Sequence, residues 1–130
     1  MDAADSPVEV VRRFCDAWAG GDLDAIVGAF TDDAVYHNMP IAPVTGPEAI
    51  RTFIEGFLGG VDSVEFRVLN IAGDGDVVLT ERVDVFRAPG KVIELPVMGT
   101  FEVRDGRIAA VREYLDSRYA ARVLFAGIPA

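Results

Sequence analysis

Cysteine and histidine are scarce in this chain of 130 residues, with one of each, Cys15 and His37. A single cysteine excludes an internal disulfide and fits a reducing compartment, so a cytoplasmic location is expected. The same scarcity argues against a zinc-type His/Cys site, and no metal or cofactor is expected, although carboxylates alone leave a hard-cation site open. Cations are also short: 12 Lys and Arg stand against 21 Asp and Glu, a net charge of −9. That balance argues against nucleic acid as a partner, since phosphate recognition needs clustered basic side chains. No apolar run approaches the roughly 20 residues that cross a bilayer, so no membrane partner is expected. The opening "MDAADSPVEV" has neither a basic n-region nor an apolar h-region, and no export signal is read in it. Nor is there a phosphate-cradling loop: "GDGD" from Gly73 to Asp76 lies between strand patterns and reads as a turn.

What the chain does have is apolar surface to bury. Its residues are 51% hydrophobic and 25% charged, the balance of a globular protein, and its length suits a single domain over 1–130. Ser6-Pro7-Val8-Glu9 combines an N-cap, a proline at the first helical position and a glutamate placed for a capping box. Val10, Val11, Phe14, Cys15 and Trp18 then recur at helical spacing until Gly20-Gly21 stops the run. Asp22 is read as the cap of a second short helix through Phe30. An extended piece, Ala34 to Asn38, leads into the loop "MPIAPVTG". Gly46-Pro47-Glu48 opens a third helix with a core stripe of Ile50, Phe53, Ile54 and Phe57, ended by Gly59-Gly60.

From there the period changes to two. Strands are expected over about Ser63–Ile71, Asp76–Arg87, Lys91–Arg104 and Arg107–Leu115, separated by the hairpin connectors "AGDGD", "RAPGK" and "RDGR". A last helix is expected from Ser117 to Phe125. Helices followed by consecutive antiparallel strands describe an α+β domain, a curved sheet folded over a helical layer with a deep pocket between them.

Three charged side chains fall on faces that are otherwise apolar. In "LTERVDVF", Arg82 and Asp84 share a face with Val78, Thr80 and Phe86, while Glu81 goes to the other face with Val83 and Val85. In "RIAAVREYL", Glu113 lies between Val111 and Leu115 on an aliphatic face, opposite in sense to Ile108, Ala110, Arg112 and Tyr114. The strand from Lys91 supplies a matching inward set, Ile93, Leu95, Val97, Gly99 and Phe101, with Pro96 marking an edge or bulge. Desolvating a charge is expensive unless it is paired. One inward arginine bonded to two inward carboxylates would hold them in fixed geometry and drive their proton affinities apart, the pairing needed for concerted general acid and base work. Charged pairs are common in strands, so an ordinary ion pair on a solvated face is the alternative.

A further element is "VYHNMP". Tyr36 and Asn38 are two apart on an extended segment and aim one way, with His37 opposite. A phenol and an amide together can hold one water by donating and accepting hydrogen bonds, although turn chemistry accounts for such residues as well. His37 is read as an exposed loop residue.

Taken together, "YHNMP", "LTERVDVF" and "GTFEVRDGRIAAVREYLD" resemble, in order, the limonene-1,2-epoxide hydrolase family of the NTF2-like, SnoaL-like superfamily. The resemblance spans nearly the whole chain. It implies a cone of the NTF2-like (cystatin-like) type, with a curved, mixed but mostly antiparallel sheet wrapped over N-terminal helices around a deep pocket. It implies one-step, cofactor-free addition of water to an apolar, terpenoid-like or cyclic epoxide, giving a vicinal diol. In these terms Asp84 is the general acid, Arg82 the bridge, and Tyr36 and Asn38 hold the water. The base falls on Glu113 rather than Asp116, because "VREYLD" stands where the family typically has "WRDYFD". Glutamate reaches about an ångström further than aspartate, on the order of one C–C bond. Val111 replaces a tryptophan of the substrate wall, which is expected to comprise Phe86, Leu95, Val97, Val111 and Leu115, with Cys15 and Trp18 contributing. The family is commonly dimeric, and the apolar sheet together with "RVLFAGIPA" suggests a homodimer. The alternatives are an epoxide-opening cyclase of polyether type, a proton shuttle like ketosteroid isomerase, and a non-catalytic small-molecule-binding domain whose charged residues only order the core.

Overall fold

A computed structural model describes residues 6–124, in the order α1 (Pro7–Gly20), α2 (Leu23–Gly28), β1 (Phe30–Asn38), β2 (Val44–Thr45), α3 (Pro47–Leu58), β3 (Ser63–Asp74), β4 (Val77–Ala88), β5 (Lys91–Arg104), β6 (Arg107–Tyr114) and α4 (Ser117–Leu124). The end of "RVLFAGIPA", from Phe125 onward, lies outside the described residues. Among the described residues no helix is long and apolar enough to cross a membrane.

Local chemistry sets the ends of α1. The Ser6 hydroxyl accepts the Glu9 backbone N–H at 3.2 Å, Pro7 occupies the first turn, and Gly21 takes a left-handed φ of 67° to close the last turn on Trp18 O. Asp22 caps α2 by accepting from Ala25 N, but α2 stops at Gly28. Phe30, expected at the end of that helix, instead opens β1, because it pairs in parallel with Ile108 and the Ile108 N–H bonds Ala29 O at 2.8 Å. β1 is therefore longer than the extended piece expected from Ala34. A register shift between Phe30 and Val35 interrupts the alternation there and hides the strand in the sequence.

The six strands form one sheet in the order β2-β1-β6-β5-β4-β3, and β1–β6 is its parallel pair. Bulges between Val68 and Asn70, and between Glu102 and Val103, interrupt the ladders, and such bulges bend a sheet. The second bulge corrects one expectation. Ile108, assigned to the outer face of its strand, is fully buried, because the bulge switches faces between Ile108 and Val111. At Pro96, β5 is paired with β4 alone, since β6 begins its pairing at Met98; the missing N–H falls on a local edge.

The concave face closes on α1. Phe14 meets Phe30 and Phe101 edge-on with ring centroids 5.3 and 5.9 Å apart, and Trp18 stacks on Phe66 at 4.4 Å. α3 adds Ile50 and Ile54, both fully buried. α4 packs separately: Ala120 sits on Ile93, Leu95 and Val97 toward the far ends of the long strands. The result is the expected α+β cone, a curved mixed sheet around N-terminal helices.

Candidate active site

Strand alternation delivers the charged residues to the concave face. Along β4, Thr80, Arg82 and Asp84 are buried while Leu79 and Glu81 are exposed. On β6 the same alternation turns Glu113 inward and Tyr114 outward. Pairing sets Asn38 beside Glu113 and Tyr36 beside Val111. All three charged groups are out of water, with Arg82 1% exposed, Asp84 4% and Glu113 3%.

Arg82 ties the two acids together. Its Nε and Nη2 each donate to one oxygen of Asp84 at 2.9 Å, a bidentate pair, and Nη2 also donates to Glu113 Oε2. Nη1 donates to Thr80 Oγ1 at 3.2 Å. The guanidinium lies over the Phe66 ring, with Cζ 4.4 Å from the centroid. The Tyr36 hydroxyl, likewise buried, donates to Glu113 Oε1. The solvated ion pair considered from sequence is thereby excluded for Arg82 and Asp84.

Two carboxylates against one buried cation is an unbalanced charge, and the proton affinities reflect it. Burial pushes Asp84 up to about 6; its hydrogen bonds to Arg82 pull the other way and the charge of Glu113 adds to the rise. Burial also works against the Arg82 charge, but Glu113 and Asp84 outweigh it and hold the guanidinium protonated. Burial and the neighbouring Glu113 carboxylate keep Tyr36 a phenol, and therefore a donor. Cys15, pushed by burial up to about 12, stays a thiol. A protonatable acid and a second carboxylate on one bridge is an arrangement that can give and take a proton together.

A cavity of about 270 Å³ opens onto this cluster. Asp84, Glu113, Tyr36, Asn38 and Ser117 contribute polar side chains to its lining. Of the expected apolar wall, Phe86, Leu95, Val97, Leu115 and Trp18 line it. Val111 and Cys15 do not. Val111, paired with Tyr36 and Phe101, and Cys15 on the inner face of α1 are each 1% exposed and packed into the core beyond the cavity. His37 is partly buried and does not line the cavity. Sequence reasoning missed Phe66, Phe57, Ile41 and Ala120 as lining. The alternation of Val64 with Phe66 was a usable signal for the first; the others reach the cavity only through the placement of a loop and two helices. Among the described residues no group of three or more His, Cys, Asp and Glu converges as metal ligands. The space between the two acids, where a cation would be held, is filled by the Arg82 guanidinium.

Residues 11–111 match the SnoaL-like domain family. The epoxide hydrolase EphG of Mycobacterium tuberculosis is 35% identical over 106 residues, 82% of this chain and 70% of that protein. The structure of an LEH-like epoxide hydrolase from M. tuberculosis superposes with a TM-score of 0.79 at 32% identity, covering 92% of each chain. A protein with a ketosteroid isomerase-like fold from Catenulispora acidiphila DSM 44928, crystallised with trimethylamine, gives the same TM-score at 24% identity over 93% of this chain and 94% of that one, a likeness of fold alone. The chain belongs to the SnoaL-like family, with the NTF2-like fold, and is a homologue of LEH-like epoxide hydrolases.

Proposed function

We propose that the protein is a cofactor-free epoxide hydrolase that adds water to a small apolar epoxide in one step, giving a vicinal diol. The observation that carries this reading is the Arg82 bridge between Asp84 and Glu113 on the wall of an otherwise apolar cavity; homology to an epoxide hydrolase supports it. Asp84, with a proton affinity raised to about 6, protonates the epoxide oxygen as a ring C–O bond breaks. Glu113 takes a proton from the water whose oxygen forms the new C–O bond. Tyr36 and Asn38 orient that water, Tyr36 from its hydrogen bond to Glu113. The proton then returns from Glu113 to Asp84 through solvent. No group on the protein is alkylated. The apolar wall, which includes Phe86, Leu95 and Leu115, suits a terpenoid-like or cyclic skeleton.

The test is turnover of a panel of terpenoid and cyclic epoxides in ¹⁸O-labelled water. A diol carrying one label from the first turnover supports the mechanism. Label incorporated only after several turnovers would mean a covalent ester, and a cyclic ether from a hydroxy-epoxide would mean a cyclase. Absence of turnover with every substrate would leave a binding domain.

We assign the working form as a homodimer. Leu69, Leu79, Met98 and Tyr114 stand on the outer side of the sheet, each 46–52% exposed, a cost in water that a second copy removes. Sedimentation of the wild type and of Met98→Asp tests it. The buried, unpaired Cys15 suits a cytoplasmic location.

A further inference from the structure

We propose that Thr80 and Gly99 are positioning residues for the acid pair, forming a seat that lets the Arg82 side chain cross β5 and fixes the angle at which its guanidinium meets Asp84 and Glu113. The rate measurements below rest on the epoxide-hydrolase reading; the titration does not.

The need for a seat follows from strand order. Arg82 springs from β4 and Glu113 from β6, with β5 between them. Neighbouring strands lie about 4.8 Å apart, so the bridge spans two such spacings and the guanidinium must lie over β5. Gly99 is the β5 residue at that crossing, paired with Thr80 on one side and Glu113 on the other. A Cβ at position 99 would stand 2.6 Å from Arg82 Nη1, 3.0 Å from Thr80 Oγ1 and 3.2 Å from the Phe101 ring. The tip of an arginine usually swings aside, but this one is held by Asp84, Glu113 and Thr80 and stacked on Phe66. The backbone of Gly99 is not in the left-handed region, so glycine serves here for space and not for conformation.

Thr80 completes the seat. Its side chain is fully buried, and its hydroxyl lies 3.5 Å from Gly99 O, which aims a lone pair at Nη1. Asp84 and Glu113 hold the Nε and Nη2 side of the guanidinium and Thr80 holds Nη1. Without that third acceptor the plane can tilt about Nε, and the two bonds to Asp84 cannot both keep their geometry. Those bonds lower the Asp84 proton affinity against its burial. The groups that face Asp84 are Arg82 on its own strand, Glu113 from β6, and the neutral Tyr36 phenol and Cys15 thiol from β1 and α1.

The experiment compares Thr80→Val, Thr80→Ser and Gly99→Ala with the wild type. Two quantities are read: kcat/KM for an epoxide against pH, and the midpoint of the Asp84 carboxyl by ¹³C NMR titration of the ligand-free protein. Thr80→Val and Gly99→Ala should each lower kcat/KM by about tenfold or more. Both should move the Asp84 midpoint upward, because the Arg82 bonds that lower it weaken. Thr80→Ser should keep both at wild-type values. If Thr80→Val fails to fold, Gly99→Ala is read in its place. An unmoved midpoint overturns the proposal whatever happens to the rate, since general damage to the fold lowers rate without that signature; so does failure of Thr80→Ser to restore it. Should the wild type open no epoxide, the hydrolase reading falls, and the midpoints still decide the seat.

Discussion

Replacing Asp84 by Asn separates a catalytic acid from a structural ion pair, because the two roles predict opposite trends in stability with pH. In the folded chain Asp84 titrates at about 6, against an ordinary 3.8. The folded state therefore holds the proton more tightly than the unfolded one. Below about pH 4 both are protonated and nothing is lost; between about 4 and 6 the unfolded state has given up its proton while the folded state still holds it, so stability falls as pH rises. At about 1.4 kcal/mol per pH unit, the gap between 3.8 and about 6 amounts to roughly 3 kcal/mol of destabilisation, complete by about pH 7. Asparagine cannot ionise, so it escapes this term, while its fixed cost, an amide N–H facing the Arg82 donors, is the same at every pH. The stability of Asp84→Asn relative to wild type should thus rise by about 3 kcal/mol between pH 4 and pH 7, measured by urea unfolding at intervals across that range. Activity should move the other way, falling by about 10²–10⁴ as the proton donor is lost. A difference that is flat with pH, or that favours the wild type increasingly toward pH 7, would refute the reasoning and return Asp84 to the role of an ion-pair partner.

Other outcomes follow from the same geometry. The rate should report the acid directly: kcat/KM should decline tenfold per pH unit above about 6, where Asp84 ionises, and a profile flat to pH 8 would exclude it as the donor. Arg82→Met leaves two buried carboxylates without their cation and should cost about 3–5 kcal/mol at pH 7, with the deficit shrinking at pH 5 as a proton replaces the lost charge; chemical denaturation at the two pH values checks it. Tyr36→Phe removes the donor to Glu113 Oε1, and should cost about 1–3 kcal/mol in a thermal or urea melt while lowering kcat more than it raises KM. Glu113→Gln cannot take a proton, so single-turnover hydrolysis should slow by about 10²–10⁴, and because its amide has one oxygen for the two donors Tyr36 and Arg82, a urea melt should show a loss of about 1–3 kcal/mol.

Much of the architecture was legible in local signals. Ser6-Pro7-Val8-Glu9 and Gly20-Gly21 mark α1 because caps satisfy backbone groups within a few residues, and no distant partner is needed. The long strands declared themselves by alternation, and the turn at Asp105-Gly106 by its two left-handed residues, φ 52° and 78°. β1 was only half visible, since its first residues are held by Ile108 and Ala29 across the sheet and not by any pattern of their own. Ile108 was misassigned for a related reason: a bulge inserts a residue into the ladder and inverts every face beyond it, and nothing at the site of insertion announces it.

What the sequence determined by itself is which side chains share a strand face: periodicity alone sets Arg82 with Asp84 on one face of β4 and Glu113 with Val111 on one face of β6, since neighbouring Cβ atoms must alternate. The tertiary structure decided that the three charged side chains meet, and that Val111 and Cys15 lie behind the cavity instead of on its wall. Whether an arginine on one strand reaches a glutamate two strands away depends on strand order, register and the bare backbone at Gly99 between them. Those are relations across the sheet, and a pattern along the chain carries no record of them.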